Sequence, residues 1–264
     1  MSGALLDKLA DLESRYAWST LATGGHEWRW LDTGGEGPPV VLLPGSVGDA
    51  AMFVLTLLSL GERLRLVAVT YPAESDPAVL ADGLAGVMDH IGLPAATIAG
   101  SSFAAYWAQY FALRHPQKVL SLVIGNGFTD GSDLADNPLF DRGYVEGIEP
   151  DALHAEWLGR IRSAPASELS QLQETMLAQR QSPRNLHARF LGVVRSTPCP
   201  ALPIPASRIT VLDCEDDPLI PPAARARLRA RYPDALRVSL KRGGHYPHLL
   251  NPQDYEAALL RCAS

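Results

Sequence analysis

Three polar residues far apart in the chain, Ser102, Asp217 and His245, could together turn a hydroxyl into a nucleophile. Ser102 stands in Gly100-Ser101-Ser102-Phe103-Ala104, a G-x-S-x-A pattern between an apolar run and the amphipathic run Tyr106 to His115. A strand, a sharp turn and a helix in that order make the context of a nucleophile elbow. Gly100 and Ala104 are small enough for strand and helix to approach, and a helix N-terminus beyond the serine favours developing negative charge. A serine there can also do no more than cap the helix, so the reading depends on what else the chain supplies.

A serine hydroxyl is a weak nucleophile near neutral pH and needs a base within reach. The carboxylates of Asp213, Glu215, Asp216 and Asp217 follow the apolar run Ile209 to Leu212, and Gly243-Gly244-His245-Tyr246-Pro247-His248 follows the run Leu236 to Leu240. Nucleophile, acid and base thus occur in a workable order. Asp217 is the expected acid because the turn Asp217-Pro218-Leu219-Ile220-Pro221 would direct it back to the sheet end. Asp216 and Glu215 are the fallback, and Asp130 is another possible orienting acid. His245, presented by two glycines, is the expected base, with His248 supporting its loop. An oxyanion needs backbone donors: the N–H of Phe103 is one, and the loop Leu42 to Gly48 supplies the other, Ser46 first and Val47 next. Gly45, Val47, Met52, Phe53 and Tyr246 are expected to line the substrate pocket.

The elements that must carry these residues are legible as short apolar runs at Val40 to Leu43, Leu64 to Thr70, Ala95 to Ala99, Val119 to Ile124, Ile209 to Leu212 and Leu236 to Leu240. Alternating with amphipathic segments, they predict a mostly parallel sheet covered by helices on both faces. Ahead of them, Leu5, Leu6, Leu9, Leu12 and Tyr16 have helical spacing, and His26 to Asp32 alternates like a half-buried strand. Between Gly131 and about Ser207 no strand is apparent, while Pro150 to Ile161 and Glu168 to Arg180 have helical spacing. The prediction is an α/β core of residues 1–130 and 208–264, with 131–207 inserted as a helical cap.

Composition is that of an ordinary folded chain: 47% hydrophobic, 20% charged and a net charge of −6, which disfavours binding to nucleic acid. Arg225, Arg227, Arg229 and Arg231 spread around a predicted helix as a solvated face. Three cysteines without C-x-x-C spacing suggest a reducing compartment. No secretory leader and no run of about 18 apolar residues is visible, so a cytoplasmic protein without a membrane span is expected. Neither a metal motif nor a phosphate or dinucleotide loop is present, and no cofactor is expected.

The LLPGS loop, the GSSFA elbow, the CEDDPLIP acid loop and the GGHYPHLLNP histidine loop resemble, in that order, the α/β-hydrolase superfamily, and the likeness spans nearly the whole chain. Within it, VTYP at residues 69–72, IGNGFTD at 124–130 and RYPDALRVSLKRGGHYPHL at 231–249 are similar to maspardin-like proteins. The chain departs from the commoner pattern at Pro44, where His usually precedes the glycine, and at Ala104. The resemblance implies an α/β-hydrolase fold, a Ser-His-Asp triad and a small carboxylic ester with an apolar acyl group as substrate, with a lactone or a carbon–carbon bond beside a carbonyl as alternatives. It also implies a non-catalytic adaptor, because the histidine can be replaced by Asn among maspardin-like proteins; this chain keeps His245.

Overall fold

The computed structural model describes residues 4–263 of the 264-residue chain; residues 1–3 and 264, assigned above to the core, lie outside the described residues. The strands are β1 (Trp18–Thr23), β2 (His26–Asp32), β3 (Pro39–Leu43), β4 (Arg65–Thr70), β5 (Ala96–Ser101), β6 (Val119–Gly125), β7 (Ile209–Cys214) and β8 (Leu236–Leu240). The helices are α1 (Ala4–Arg15), α2 (Val54–Leu60), α3 (Pro77–His90), α4 (Phe103–Arg114), α5 (Arg142–Gly147), α6 (Pro150–Ser163), α7 (Glu168–Gln179), α8 (Pro183–Val194), α9 (Pro222–Arg231), α10 (Pro247–Leu250) and α11 (Pro252–Ala263).

All strands join one sheet in the order β1-β2-β4-β3-β5-β6-β7-β8. Those from β3 onward run parallel, and β1 and β2 form an antiparallel hairpin attached to β4. β1 is the strand that apolar pattern alone did not predict. Its side chains are half-buried or exposed, so it lacks a hydrophobic run, and it is held by the tight turn at Gly24 and Gly25, both at positive φ (60° and 79°).

The buried strands show why their runs are continuous. Along β3, Val40 and Leu42 face a core containing Leu9, Leu12, Phe53, Leu57 and Leu259, while Val41 and Leu43 face another containing Leu84, Phe103, Trp107 and Phe111. This central strand is therefore apolar on both sides.

The strand order reverses at β3: β4 lies on one side of it and β5 on the other. Two chain segments consequently leave neighbouring strand ends in opposite directions, opening a crevice at the carboxyl edge. Leu43 pairs in register with Gly100 there, so the loop after β3 emerges beside Ser102.

Between residues 131 and 207 the described structure contains α5 to α8 and short single-turn helices, without a strand. Phe190 and Val193 of α8 join the core of Phe103, whereas Leu172 and Met176 of α7 join the core of Leu9 and Met52. The helical segment thus straddles the edge where the parallel strands end. No helix among the described residues is long and apolar enough to cross a membrane.

Close packing joins the segment to the elbow: a Cβ on Gly192 of α8 would sit 2.2 Å from Cζ of Phe103. Gly192→Ala should therefore force α8 away from α4 and destabilise the fold by about 1–3 kcal/mol, measured as a lower urea midpoint with an unchanged slope.

Candidate active site

Ser102 is the hinge between β5 and α4. Its backbone has φ 55° and ψ −120°, a conformation that costs a non-glycine residue about 1–3 kcal/mol unless its surroundings enforce it. They do so from both sides, because the Ser102 N–H donates to Gly125 O at 2.9 Å and the Tyr106 N–H donates to Ser102 O at 3.2 Å. The sharp turn needs Gly100, where a Cβ would lie 2.5 Å from Ala104 O. No side chain caps α4; the Ser102 hydroxyl is not consumed as a helix cap. The N–H of Phe103 follows directly in the first turn, while its ring is fully buried.

Gly45 comes against the serine from the loop after β3: a Cβ there would be 3.0 Å from Ser102 Cβ and 3.7 Å from its Oγ. Gly45, Ser46, Val47, Ser102, His245 and Tyr246 line one cavity of about 20 Å³, room for about one water molecule. Among the described residues no hydrogen bond joins Ser102 to His245; they share the cavity wall.

His245 and Asp217 are both buried, and the imidazole Nδ1 lies 2.9 and 3.1 Å from the two carboxylate oxygens. Because a carboxylate only accepts, Nδ1 carries the proton and Nε2 is left as the acceptor. Gly244, at φ 53°, lets the chain turn sharply before His245.

Burial alone would raise the Asp217 carboxyl, but His245, Asn126 and the Leu219 amide outweigh it and hold the group below its ordinary value. The supporting bonds are Asn126 Nδ2 to Oδ2 at 2.6 Å, and the amides of Leu219 and Ile220 to Oδ1 at 2.8 and 3.1 Å. The turn after Asp217 that pointed to it in the sequence therefore holds it directly.

Asn126 was not singled out in the sequence. It follows β6 directly, in the left-handed region at φ 45°, and its Nδ2 also donates to Gly244 O at 3.0 Å, tying the acid loop to the histidine loop. The Asn-Gly step at residues 126–127 is a signal for such a turn, though nothing in it names the partners.

The other acids do different work. Asp216 accepts from the amides of Gly243 and Gly244 at 3.3 and 2.8 Å, Glu215 is exposed, and Asp130 caps a single-turn helix through Ser132. His248 is buried against Phe53, Tyr246 and Tyr255.

Two expected pocket residues are corrected. Met52 and Phe53 are 1% and 0% exposed in the core beneath the sheet and line neither cavity at the site. They follow β3 closely in sequence, but the single-turn helix at Ala50–Phe53 turns them into the layer of α1 and α2. Phe140, Trp157, Phe190 and Leu219 reach the small cavity instead. Beside it opens a wider cleft of about 440 Å³, lined by Leu139, Trp157, Ile161, Leu169, Leu219, His245 and Tyr246, with Arg160 and Gln173 also on its wall.

A family model described as the alpha/beta hydrolase family matches residues 40–258. Maspardin of Homo sapiens is 26% identical over 226 residues, 80% of this chain and 70% of the relative. A 2-hydroxy-6-oxononadienedioate/2-hydroxy-6-oxononatrienedioate hydrolase of Cupriavidus pinatubonensis is 34% identical over 131 residues, 44% of this chain and 45% of that one. Among solved structures, a thermophilic esterase from Thermogutta terrifontis superposes with a TM-score of 0.73 at 24% identity, covering 94% of this chain and 98% of the other.

Burial, and secondarily His245, pushes the His248 imidazole down to about 3 from an ordinary 6.5. The unfolded chain therefore binds a proton that the folded chain refuses: this contribution to stability is complete above about pH 6.5 and is lost as pH falls toward 3. His248→Phe should flatten the decline by about 1.4 kcal/mol per pH unit between those limits, read from urea denaturation at a series of pH values.

Proposed function

Because the chain belongs to the alpha/beta hydrolase family, we propose that it is a serine hydrolase cleaving carboxylic esters through an acyl-enzyme. The observation that carries this reading is the buried Asp217 carboxylate gripping Nδ1 of His245 in the cavity that Ser102 also lines.

In the proposed reaction the Ser102 hydroxyl attacks the ester carbonyl as its proton passes to Nε2 of His245. Asp217 holds the ring in the required tautomer and stabilises the positive imidazolium. The negative tetrahedral oxygen is met by the N–H groups of Phe103 and Ser46. Collapse expels the alcohol with the proton from His245 and leaves acyl-Ser102. A water molecule, deprotonated by the same nitrogen, releases the acid and restores the hydroxyl. Each group acts on a proton or a developing charge, and no metal or organic cofactor takes part.

The adjoining cleft supports a substrate with an apolar acyl or alcohol portion, since Leu139, Trp157, Ile161 and Leu219 would be desolvated by it. A carbon–carbon bond beside a carbonyl is a second reading, supported by the local likeness to the Cupriavidus hydrolase and by Arg160 on the cleft wall, which could meet a substrate carboxylate. The largely apolar wall favours the ester. A lactone would use the same groups. The three cysteines are free and buried, which supports the reducing, cytoplasmic setting read from the sequence.

A fluorophosphonate probe should label the protein at Ser102 and leave Ser102→Ala unlabelled, and p-nitrophenyl esters of increasing acyl length should show an optimum beyond acetate. Equal labelling of Ser102→Ala would favour a non-catalytic adaptor role, and turnover of a vinylogous 1,5-diketone acid without ester turnover would favour carbon–carbon cleavage. Asp217→Asn should lower kcat by about 10⁴-fold while the fold persists; a loss of only a few-fold would reassign the acid.

A further inference from the structure

Arg189 of α8 is fully buried, yet its partners are not carboxylates. Nη1 donates to Gly45 O and Gly48 O, each at 2.8 Å, and Nη2 reaches Tyr71 O at 3.5 Å. Its Cζ lies 3.9 Å from the centroid of the Tyr71 ring. Asp49, the carboxylate that acts on it electrostatically, is itself paired with Arg180 at 2.8 Å. A guanidinium does not give up its proton readily even when burial pulls its value down, so here a full charge is answered by peptide dipoles and an aromatic face.

Two of those dipoles, at Gly45 and Gly48, belong to the loop beside Ser102. The hydroxyl of Tyr71 is also 3.0 Å from both Pro44 O and Gly45 O. Gln181, buried between α7 and α8, accepts from the Gly48 N–H at 2.8 Å and donates to Ser46 O at 2.8 Å. Every one of these side chains binds backbone, and the arginine and the tyrosine meet on a single atom, the carbonyl oxygen of Gly45.

Gly45 O and the Ser46 N–H are the two ends of one peptide unit. That unit is planar and trans, so oxygen and N–H point in opposite directions. Arg189 and Tyr71 line a cavity of about 210 Å³, while Ser46, Ser102 and His245 line the smaller cavity at the serine. Pinning the oxygen toward the guanidinium turns the N–H away from it, on a residue that lines the cavity of Ser102. A cationic donor on the oxygen also draws electron density through the amide and strengthens its N–H as a donor.

We propose that Arg189, with the Tyr71 hydroxyl, is a positioning residue that aims and polarises the Ser46 amide toward the oxyanion formed on Ser102. The inference rests on the serine hydrolase reading and deepens it: α8, outside the sheet, completes the oxyanion site. It gives a physical use to a buried charge that a neutral side chain could replace if only packing mattered.

The test compares Arg189→Met, Arg189→Lys and Tyr71→Phe, each checked for folding by circular dichroism and urea denaturation, on the p-nitrophenyl ester that the wild type turns over best. Arg189→Met should lose about 10–100-fold in kcat and Tyr71→Phe about 3–10-fold, with KM within about twofold. The lysine, which keeps the charge but not the fork, should recover part of the loss. Affinity for a trifluoromethyl ketone, which becomes a tetrahedral oxyanion on Ser102, should fall in parallel with kcat/KM. A purely structural anchor would instead raise KM and leave kcat and the ratio of ketone to product affinity where they were, and that outcome overturns the proposal while the hydrolase reading stands. Should Arg189→Met not fold, Tyr71→Phe decides, because it retains the ring and the guanidinium: unchanged kcat and ketone affinity overturn the proposal. A wild type that neither turns over esters nor reacts with the fluorophosphonate overturns both readings at once.

Discussion

A carboxylate buried as deeply as that of Asp217 is tolerable only when its oxygens are met by donors. The amides of Leu219 and Ile220, the Asn126 side chain and the ring of His245 meet them. Those donors come from the ends of β6, β7 and β8, so the need to satisfy one ion locks three loops into a single arrangement. Remove the ion and the histidine loses its orientation; remove a donor and the ion is stranded. The geometry on which the proposed chemistry depends is therefore also a condition of the local fold, and the strained turn at Asn126 is retained because it serves both loops.

The Ser102 side of the site is organised by a different constraint. Reversal of strand order between β4-β3 and β3-β5 makes neighbours of two loops that are more than fifty residues apart in the chain. Gly45 fits against Ser102 because it lacks a Cβ, and Gly100 admits the tight start of α4 for the same reason. The sheet supplies proximity by topology, whereas the precise setting of the loop after β3 comes from Tyr71, Gln181 and Arg189, two of which lie beyond the sheet in the helical segment. Pro44 has no side-chain donor of its own, and the hydroxyl of Tyr71 bonds its carbonyl.

The division of labour between core and helical segment bears on how such a molecule would select substrates. Groups that would handle protons and charge in the proposed reaction sit on strand ends, where parallel pairing leaves little freedom. The walls that would contact the rest of a substrate come mainly from α6, α7 and α8 and from Leu219, and they are chiefly apolar. The same strand-end machinery is compatible with an ester, a lactone or a carbon–carbon bond beside a carbonyl, so the choice among them falls to surfaces whose sequence carries no chemical signature.

Short β-branched runs, the G-x-S-x-A turn, the acid turn from Asp217 to Pro221 and the Gly-Gly-His loop were legible in the sequence because each reflects an interaction between near neighbours: backbone sterics, helix initiation or burial on both faces of a strand. β1 was not, because a half-exposed edge strand carries no hydrophobic signature, and its pairing partner decides it. Met52 and Phe53 show that apolar character specifies burial without specifying which layer is entered. Asn126 and Arg189 read as ordinary polar residues until the fold brings them to partners 91 and 144 residues away. The sequence by itself determined which groups the protein could use; tertiary structure decided which of them meet, because a hydrogen bond across the sheet edge depends on strand order and loop direction, and neither is encoded in the spacing of the residues that make it.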